Sequence, residues 1–242
     1  MCWSAYGTVR HAHSGILQLP AQLSLNLEHR PSYARQAYVV SPSNADAVAA
    51  LDAWPGWLGG ALVLVGPAGS GKTHLAAGWA EQAGACTLPA DFDEADLANL
   101  PGPALVEDAD RHPPGETLFH LINMAARPGG GLLITARIPP SQWPSDIPDL
   151  RSRLNALPVA QMYEPDDAVL SGVLAKFFQE RNIRPSDDLL SYLVRRIERS
   201  APRARDIVAK LDEVAARHSR SVSRGLAREI LDGESQEEDL HP

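Results

Sequence analysis

The sequence predicts an α/β fold in which helices flank a parallel sheet and a small all-helical subdomain follows. Short, wholly apolar runs alternate with helical segments in the first two thirds of the chain, a pattern typical of parallel strands covered on both faces. A glycine-rich phosphate-binding motif joins the first of these runs to a helix. After residue 163 the signals are all helical, which separates a sheet-containing part from a helical part.

The composition divides the chain into four predicted regions. Residues 1–36 form a mobile N-terminal arm, residues 37–164 an α/β nucleotide-binding domain, and residues 165–231 a helical lid. Residues 232–242 are acidic and polar and predict a disordered tail. The 242 residues are 44% hydrophobic, which is enough to bury a core in this arrangement.

Charge and cysteine content exclude several classes of protein. The formal net charge of −8 gives no global attraction to DNA or to an anionic membrane. The two cysteines, Cys2 and Cys86, cannot build a disulfide framework and predict a reduced protein with one cysteine in its apolar core. The sequence shows neither a membrane span nor a signal peptide. We therefore expect a cytoplasmic protein with no membrane association and no direct sequence-specific DNA binding.

The strands are predicted from apolar runs bounded by glycine or proline. They cover residues 61–65, 103–106 and 131–135, and residues 159–163 fit as a fourth strand.

Helices are predicted between these strands from capping residues and apolar periodicity. One begins at Ser43 or Asn44 and runs to Trp54, and a second covers residues 71–83. A third, over residues 115–127, carries four apolar residues on one face: Leu118, Leu121, Ile122 and Ala125. In the lid, Pro165 in a first turn, a cap at residues 186–188 and Pro202 predict three or four helices.

The phosphate-binding motif predicts a nucleotide site. It matches the pattern G-x-x-x-x-G-K-[ST] and consists of Gly66, Pro67, Ala68, Gly69, Ser70, Gly71, Lys72 and Thr73. Its glycines let consecutive backbone N–H groups turn inward around a phosphate, at the positive end of the following helix. Lys72 is predicted to reach the β- and γ-phosphates, and Thr73 to supply a hydroxyl ligand to Mg²⁺.

Polar residues at the ends of the next two strands complete the predicted chemistry. Glu107 and Asp108 follow one strand; a carboxylate there can hold Mg²⁺ through water, and its neighbour can orient the attacking water. The usual first acid is Asp, so Glu107 predicts altered metal geometry and slow hydrolysis. Thr135 ends the next strand, where its hydroxyl can contact the γ-phosphate or the lytic water.

The order of these elements resembles that of the AAA+ ATPases, and within them the replication initiator family DnaA, over residues 31–231. Residues 38–44 resemble that family's adenine-side box, and the matching stretches continue through residues 66–73, 135–140 and 150–154 to the region of Arg203. The resemblance implies that Tyr38, Val39 and Val40 lie beside the base. It implies the sensor 1 role for Thr135, a trans-acting arginine finger for Arg153 and sensor 2 for Arg203. Arg151 and Arg205 are the respective competitors.

The arm carries a further resemblance. Residues 22–27 resemble the short peptide by which bacterial proteins dock on the sliding clamp, the β subunit of DNA polymerase III, with contacts from Gln22, Leu23, Leu25 and Leu27. In an extended segment the three leucines share one face. A half-buried edge strand has the same alternation and stays open as an alternative.

Together these features resemble the Hda family of DnaA-homologous regulators. That resemblance implies a protein that binds ADP or ATP with Mg²⁺, docks on the clamp and promotes hydrolysis of DnaA-bound ATP, as negative control of replication initiation. The implied partners are DnaA and the clamp, with possible self-association into a homo-oligomer. The alternatives are a DnaA-like adaptor or loader, a nucleotide-gated scaffold and an unrelated P-loop ATPase.

Overall fold

The computed structural model describes residues 38–89, 91–111 and 115–238, with side chains through residue 233. The described residues lie within a single unit, Pro31–Pro242. The predicted clamp-binding residues Gln22, Leu23, Leu25 and Leu27 lie outside the described residues, so their role stays a prediction.

Five parallel strands form one sheet in the order β2-β3-β4-β1-β5. Their bounds are β1 Ala61–Val65, β2 Cys86–Leu88, β3 Ala104–Val106, β4 Leu132–Ala136 and β5 Val159–Gln161. Because all five strands run the same way, their carboxyl ends lie along one edge of the sheet, where parallel α/β folds bind their ligands.

Nine α-helices occur among the described residues. Five belong to the sheet-containing part: α1 Ala45–Asp52, α2 Lys72–Ala83, α3 Glu94–Ala98, α4 Glu116–Ala125 and α5 Pro148–Ala156. Four form the lid: α6 Asp167–Glu180, α7 Asp187–Arg196, α8 Ala201–Arg217 and α9 Arg224–Glu238.

The two faces of the sheet are buried under different helices. Val63, Ile134 and neighbouring residues pack in one apolar cluster with residues of α4 and α5. Leu64, Leu133 and neighbouring residues pack in a second cluster with residues of α1 and α2. Alternate residues of each strand therefore face opposite layers, which explains why the strands read as continuous apolar runs.

The lid has an apolar core of its own, built from the inner faces of α6 to α9. Its helices begin at polar caps: Asp166 accepts a hydrogen bond from the Val169 N–H, and Ser186 accepts one from the Leu189 N–H. Ser200 accepts from the Arg203 N–H, and Pro202 lies in the first turn of α8.

The predicted fold class is confirmed. The predicted strands match β1, β3, β4 and β5, and the four predicted apolar residues of α4 are all buried.

Several details of the prediction were wrong. No predicted element corresponds to the edge strand β2 or to the helices α3 and α5. Pro165 precedes the cap of α6 instead of lying in its first turn. Cys86 is exposed on β2, outside the apolar core. Helix α9 extends to Glu238, so most of the segment predicted to be a disordered tail is helical. No helix among the described residues is long and apolar enough to cross a bilayer.

Candidate phosphate and nucleotide site

The predicted phosphate loop leaves the carboxyl end of β1 and enters α2, at the ligand-binding edge of the sheet. Gly69 and Gly71 have φ of 75° and 95°, a backbone conformation that suits glycine. A Cβ at Gly66 would lie 2.6 Å from the Met162 carbonyl oxygen, so the loop packs too closely there for any larger residue. The local sequence thus shapes a tight turn that exposes backbone N–H groups at the start of α2.

Lys72 lies at the first position of α2 and is 7% exposed. Its Nζ donates hydrogen bonds to the carbonyl oxygens of Gly66 and Pro67, each at 2.8 Å. Burial lowers the pKa of Lys72, and the carboxylate of Asp108 opposes that shift. The ammonium group is therefore held under the loop by two neutral carbonyls, which an anionic phosphate oxygen can replace as a stronger acceptor.

Thr73 and Glu107, the two predicted magnesium ligands, lie within hydrogen-bonding distance of one another. The Thr73 hydroxyl donates to Glu107 Oε2 at 2.6 Å, across the gap between α2 and the end of β3. A hydroxyl and a carboxylate oxygen facing one another are hard ligands of the kind that Mg²⁺ takes alongside water and phosphate oxygens. The Glu107 side chain, one methylene longer than that of the usual Asp, thus reaches the Thr73 hydroxyl, the second predicted ligand of Mg²⁺.

Asp108 and Thr135 are joined through the backbone. The Asp108 N–H donates to Thr135 Oγ1 at 3.0 Å, and Thr135 is 1% exposed. Asp108 has a positive φ of 51°, which is uncommon for a residue other than glycine. Its carboxylate pairs with Arg111 at 3.2 Å. The structure therefore brings the predicted acid pair and the predicted sensor threonine into one hydrogen-bonded group.

The lid meets the phosphate loop at the amino end of α8. A Cβ at Gly69 would lie 2.6 Å from Cβ of Ser200, the capping residue of this helix. Arg203 lies in the first turn of α8, three residues after that contact. Its competitor Arg205 is exposed, and its guanidinium lies 5.0 Å from the centre of the Phe177 ring within the lid. This placement favours Arg203 over Arg205 for a role at the phosphates.

The predicted base-side segment also contacts both α2 and the lid. The Tyr38 ring stacks on His74, with ring centres 5.5 Å apart and planes 15° apart. Val39 packs against Gly172 of α6, where an added Cβ would lie 2.3 Å from Cγ2 of Val39. Val40 is 51% exposed. Burial, together with the charge of Lys176, lowers the pKa of His74.

The two candidate finger arginines have different surroundings on α5. Arg151 donates to the carbonyl oxygens of Trp143 at 2.9 Å and Ser145 at 3.1 Å. Arg153 is exposed, and its side chain makes no hydrogen bond or ion pair with any described residue. Arg151 therefore has a structural use within the chain, whereas Arg153 is available to a neighbouring molecule.

Two residues of the site were missed by sequence reasoning. Ser200 could have been found as a helix cap, since a serine two residues before a proline is a common helix start. His74 follows Thr73 directly, but its stacking on Tyr38 joins residues 36 positions apart and no spacing rule reveals it.

The comparisons with known proteins point to one fold. The chain is 25% identical over 244 aligned positions to the chromosomal replication initiator protein DnaA of Thermomicrobium roseum, covering 87% of this chain and 52% of that protein. Domain III of DnaA from Thermotoga maritima superposes with a TM-score of 0.69 at 22% identity, covering 84% of this chain and 97% of that chain. The fold is that of an AAA+ domain.

Other AAA+ structures agree. RuvB of Thermotoga maritima superposes with a TM-score of 0.66 at 14% identity, covering 84% of this chain and 72% of that chain. DnaA of Aquifex aeolicus, determined with bound AMPPCP, gives 0.62 at 17% identity, covering 76% of this chain and 66% of that chain. No family model matches the sequence. The chain spans about half the length of the curated relative that it matches.

Proposed function

We propose that this DnaA-like AAA+ protein is a nucleotide-dependent regulator that promotes hydrolysis of the ATP bound to DnaA. In this proposal the chain binds ADP or ATP with Mg²⁺ at its own phosphate loop, and it restrains replication initiation. The observation that carries the proposal is the contrast on α5: Arg151 is bonded to two carbonyls of its own chain, whereas Arg153 is exposed and bonded to none of the described residues.

Within its own site the chain supplies binding and orientation. Lys72 and the N–H groups of the loop hold the phosphates, and Thr73 with Glu107 holds Mg²⁺, which neutralises phosphate charge when bound. Asp108 and Thr135 orient water near the terminal phosphate. We expect slow intrinsic hydrolysis because Glu107 replaces the usual Asp and because Arg111 is paired with Asp108.

Arg153 acts on the nucleotide of the neighbouring DnaA molecule. A guanidinium directed at the transferred phosphoryl group stabilises charge that develops in the transition state, worth roughly 10³–10⁵ in rate in other NTPases. The planar fork matters, so Arg153→Lys should fail almost as badly as Arg153→Ala.

The test is turnover of DnaA-bound ATP in the presence of clamp and DNA. We expect Arg153→Ala to lose the stimulation while its own ADP affinity stays unchanged. The exposed Arg184→Ala variant of the lid serves as a matched control and should stimulate like the wild type. Full stimulation by Arg153→Ala would overturn the mechanism in favour of the nucleotide-gated scaffold.

We further propose that Gln22, Leu23, Leu25 and Leu27 dock this regulator on the sliding clamp. A peptide of residues 20–29 should then bind the isolated clamp. Replacing Gln22, Leu25 and Leu27 by Ala in the full chain should abolish clamp binding and leave the melting temperature nearly unchanged. A large drop in melting temperature would instead identify these residues as a packed edge strand.

A further inference from the structure

Arg137 lies beside the phosphate loop, although no motif singles it out. It follows β4 directly, and the Gly66 N–H at the start of the loop donates to the carbonyl oxygen of Ala136 at 3.2 Å. Residue 137 is therefore the next residue along the chain from the one that bonds the first glycine of the loop.

Strand alternation places Thr135, two residues before Arg137, on the α2 side of the sheet. Ile134 and Ala136 pack in the cluster with α4 and α5, whereas Leu133 packs in the cluster with α2, and Thr135 continues the alternation that begins with Leu133. Arg137 is the first residue after β4, and its charge is close enough to act on Lys72 at the start of α2. The two cationic side chains therefore lie at the same edge of the sheet.

The backbone of Arg137 is held while its charge stays available. The Arg137 N–H donates to Asp110 Oδ2 at 3.0 Å, which ties the end of β4 to the loop after β3. The guanidinium is exposed and makes no hydrogen bond or ion pair with any described residue. The nearby Asp108 carboxylate is already paired with Arg111. The positive charge of Arg137 acts on Lys72 and helps to lower the pKa of its ammonium group.

Two neighbouring cations suit a ligand that carries more than one negative charge. Arg137 directly follows the strand β4 that carries Thr135, at the edge of the sheet where Thr73, Glu107 and Asp108 also lie. The lid meets the loop elsewhere, at Gly69. In the proposed function the terminal phosphate of ATP lies among Glu107, Asp108 and Thr135. ADP has no phosphate at that position.

We propose that Arg137 binds the terminal phosphate of ATP held in its own chain and so makes this protein distinguish ATP from ADP. This inference rests on the proposed nucleotide site at residues 66–73. Arg137 acts in cis, unlike Arg153, and its planar fork can donate two parallel hydrogen bonds to one phosphate group.

The experiment compares the affinities of the full chain for ADP and for AMPPCP, both with Mg²⁺, by calorimetry. We expect Arg137→Ala to lower AMPPCP affinity by about tenfold or more and to leave ADP affinity within about twofold. Arg137→Lys should retain part of the preference, since it keeps the charge but loses the fork. The control is Arg127→Ala, an exposed arginine before the amino end of β4, which should bind both nucleotides like the wild type.

Two outcomes would overturn the inference: unchanged AMPPCP affinity, or equal losses for AMPPCP and ADP. Lys72→Ala, measured alongside, separates this failure from failure of the proposed function. If Lys72→Ala lowers the affinity for both nucleotides while Arg137→Ala lowers neither, the proposed site is supported and the role of Arg137 is wrong. If Lys72→Ala binds both nucleotides normally, the proposed site itself is wrong.

Discussion

The edge of the sheet that carries residues 66–73 and the lid are built on opposite principles. The edge contains a buried lysine, a buried threonine and a non-glycine residue, Asp108, with positive φ. The lid consists of capped helices around an apolar core, and Ser200 is its only buried polar residue among those described. Charged lid residues such as Arg224 and Asp188 pair at the surface.

This difference separates stability from function. In the lid, local preferences and packing agree, as they do in sequences that specify one structure strongly. At the edge, several local preferences are violated, and such violations concentrate where function requires them. We therefore expect lid substitutions to change the free energy of unfolding and edge substitutions to change nucleotide binding.

The largest expected effect is on lid stability. Leu193 is fully buried in α7, so Leu193→Ala should lower the free energy of unfolding by about 2–5 kcal/mol through lost burial and a cavity. ADP affinity at a temperature where the variant stays folded should not change. Denaturant titration and calorimetry measure the two quantities, with exposed Ser191→Ala as the control on the same helix. A parallel loss of ADP affinity would contradict the separation.

Lys72→Ala should show the reverse pattern. Losing a charge-assisted phosphate contact should weaken ADP binding by about 1.5–3 kcal/mol. The free energy of unfolding without nucleotide should change less than this, because the cost of burying the ammonium offsets its bonds to two carbonyls. Lys210→Ala, on the lid helix α8, is the control. A Lys72 variant that is destabilised but binds ADP normally would reverse the assignment of the two regions.

Ser200 belongs to both regions and gives the sharpest comparison. Ser200→Ala and Ser186→Ala each remove one helix cap, so each should cost about 1 kcal/mol of unfolding free energy. The start of α8 at Ser200 also lies against Gly69, so loss of this cap should loosen that contact, and only Ser200→Ala should weaken ADP binding, by a few-fold. Equal ADP affinities for the two variants would show that the cap of α8 has no role in nucleotide binding.

The smallest expected effect concerns pH. The pKa of His74 is lowered from its usual 6.5, so this imidazole takes up a proton more readily in the unfolded chain than in the folded chain. This contribution should reduce stability as pH falls below about 6.5, the ordinary pKa of histidine in the unfolded chain. His74→Phe should keep the stacking on Tyr38 and remove this part of the pH dependence. Parallel stability curves for wild type and variant between pH 5.5 and 7.5 would contradict the assignment.

The predictable parts of the fold were those whose signals are local. The strand β1 is a continuous apolar run, and α8 begins with Ser200 and Pro202, so both could be located from sequence. The strand β2 has only three residues, of which Cys86 and Thr87 are exposed, and no apolar run marks it. Helix α5 begins at Pro148, but Ile147 before it is not a capping residue, so the usual start signal of a helix is incomplete.

The composition of residues 232–242 led to a wrong prediction. Acidic and polar residues after Asp232 suggested disorder, but α9 is anchored by Leu226, Ala227 and Ile230 in the lid core. Once such a helix is nucleated, each further residue adds a backbone hydrogen bond at little cost. The helix therefore continues to Glu238 without further apolar contacts being required.

At the site, the motif located the loop but could not predict its contacts. The sequence pattern assigns Lys72 and Thr73 by type and spacing. It contains no information on the lysine's bonds to Gly66 and Pro67, which depend on the three-dimensional turn of the loop. The positive φ of Asp108 and its bond to Thr135, which joins the ends of β3 and β4, likewise have no counterpart in a sequence pattern.

The packing of Gly69 on Ser200 has a consequence for timing. With only about the space of a hydrogen atom at Gly69, the loop and the start of α8 fit together as one surface, and a nucleotide whose phosphates lie in the loop is bordered by both. We expect departure of a nucleotide to wait for α8 to move off the loop, so that the lifetime of the bound state follows the opening rate of the lid. Stopped-flow release of a fluorescent ADP from Ser200→Ala and the wild type would measure that lifetime. The time for which this protein holds a nucleotide would then be set by the contact between Gly69 and Ser200.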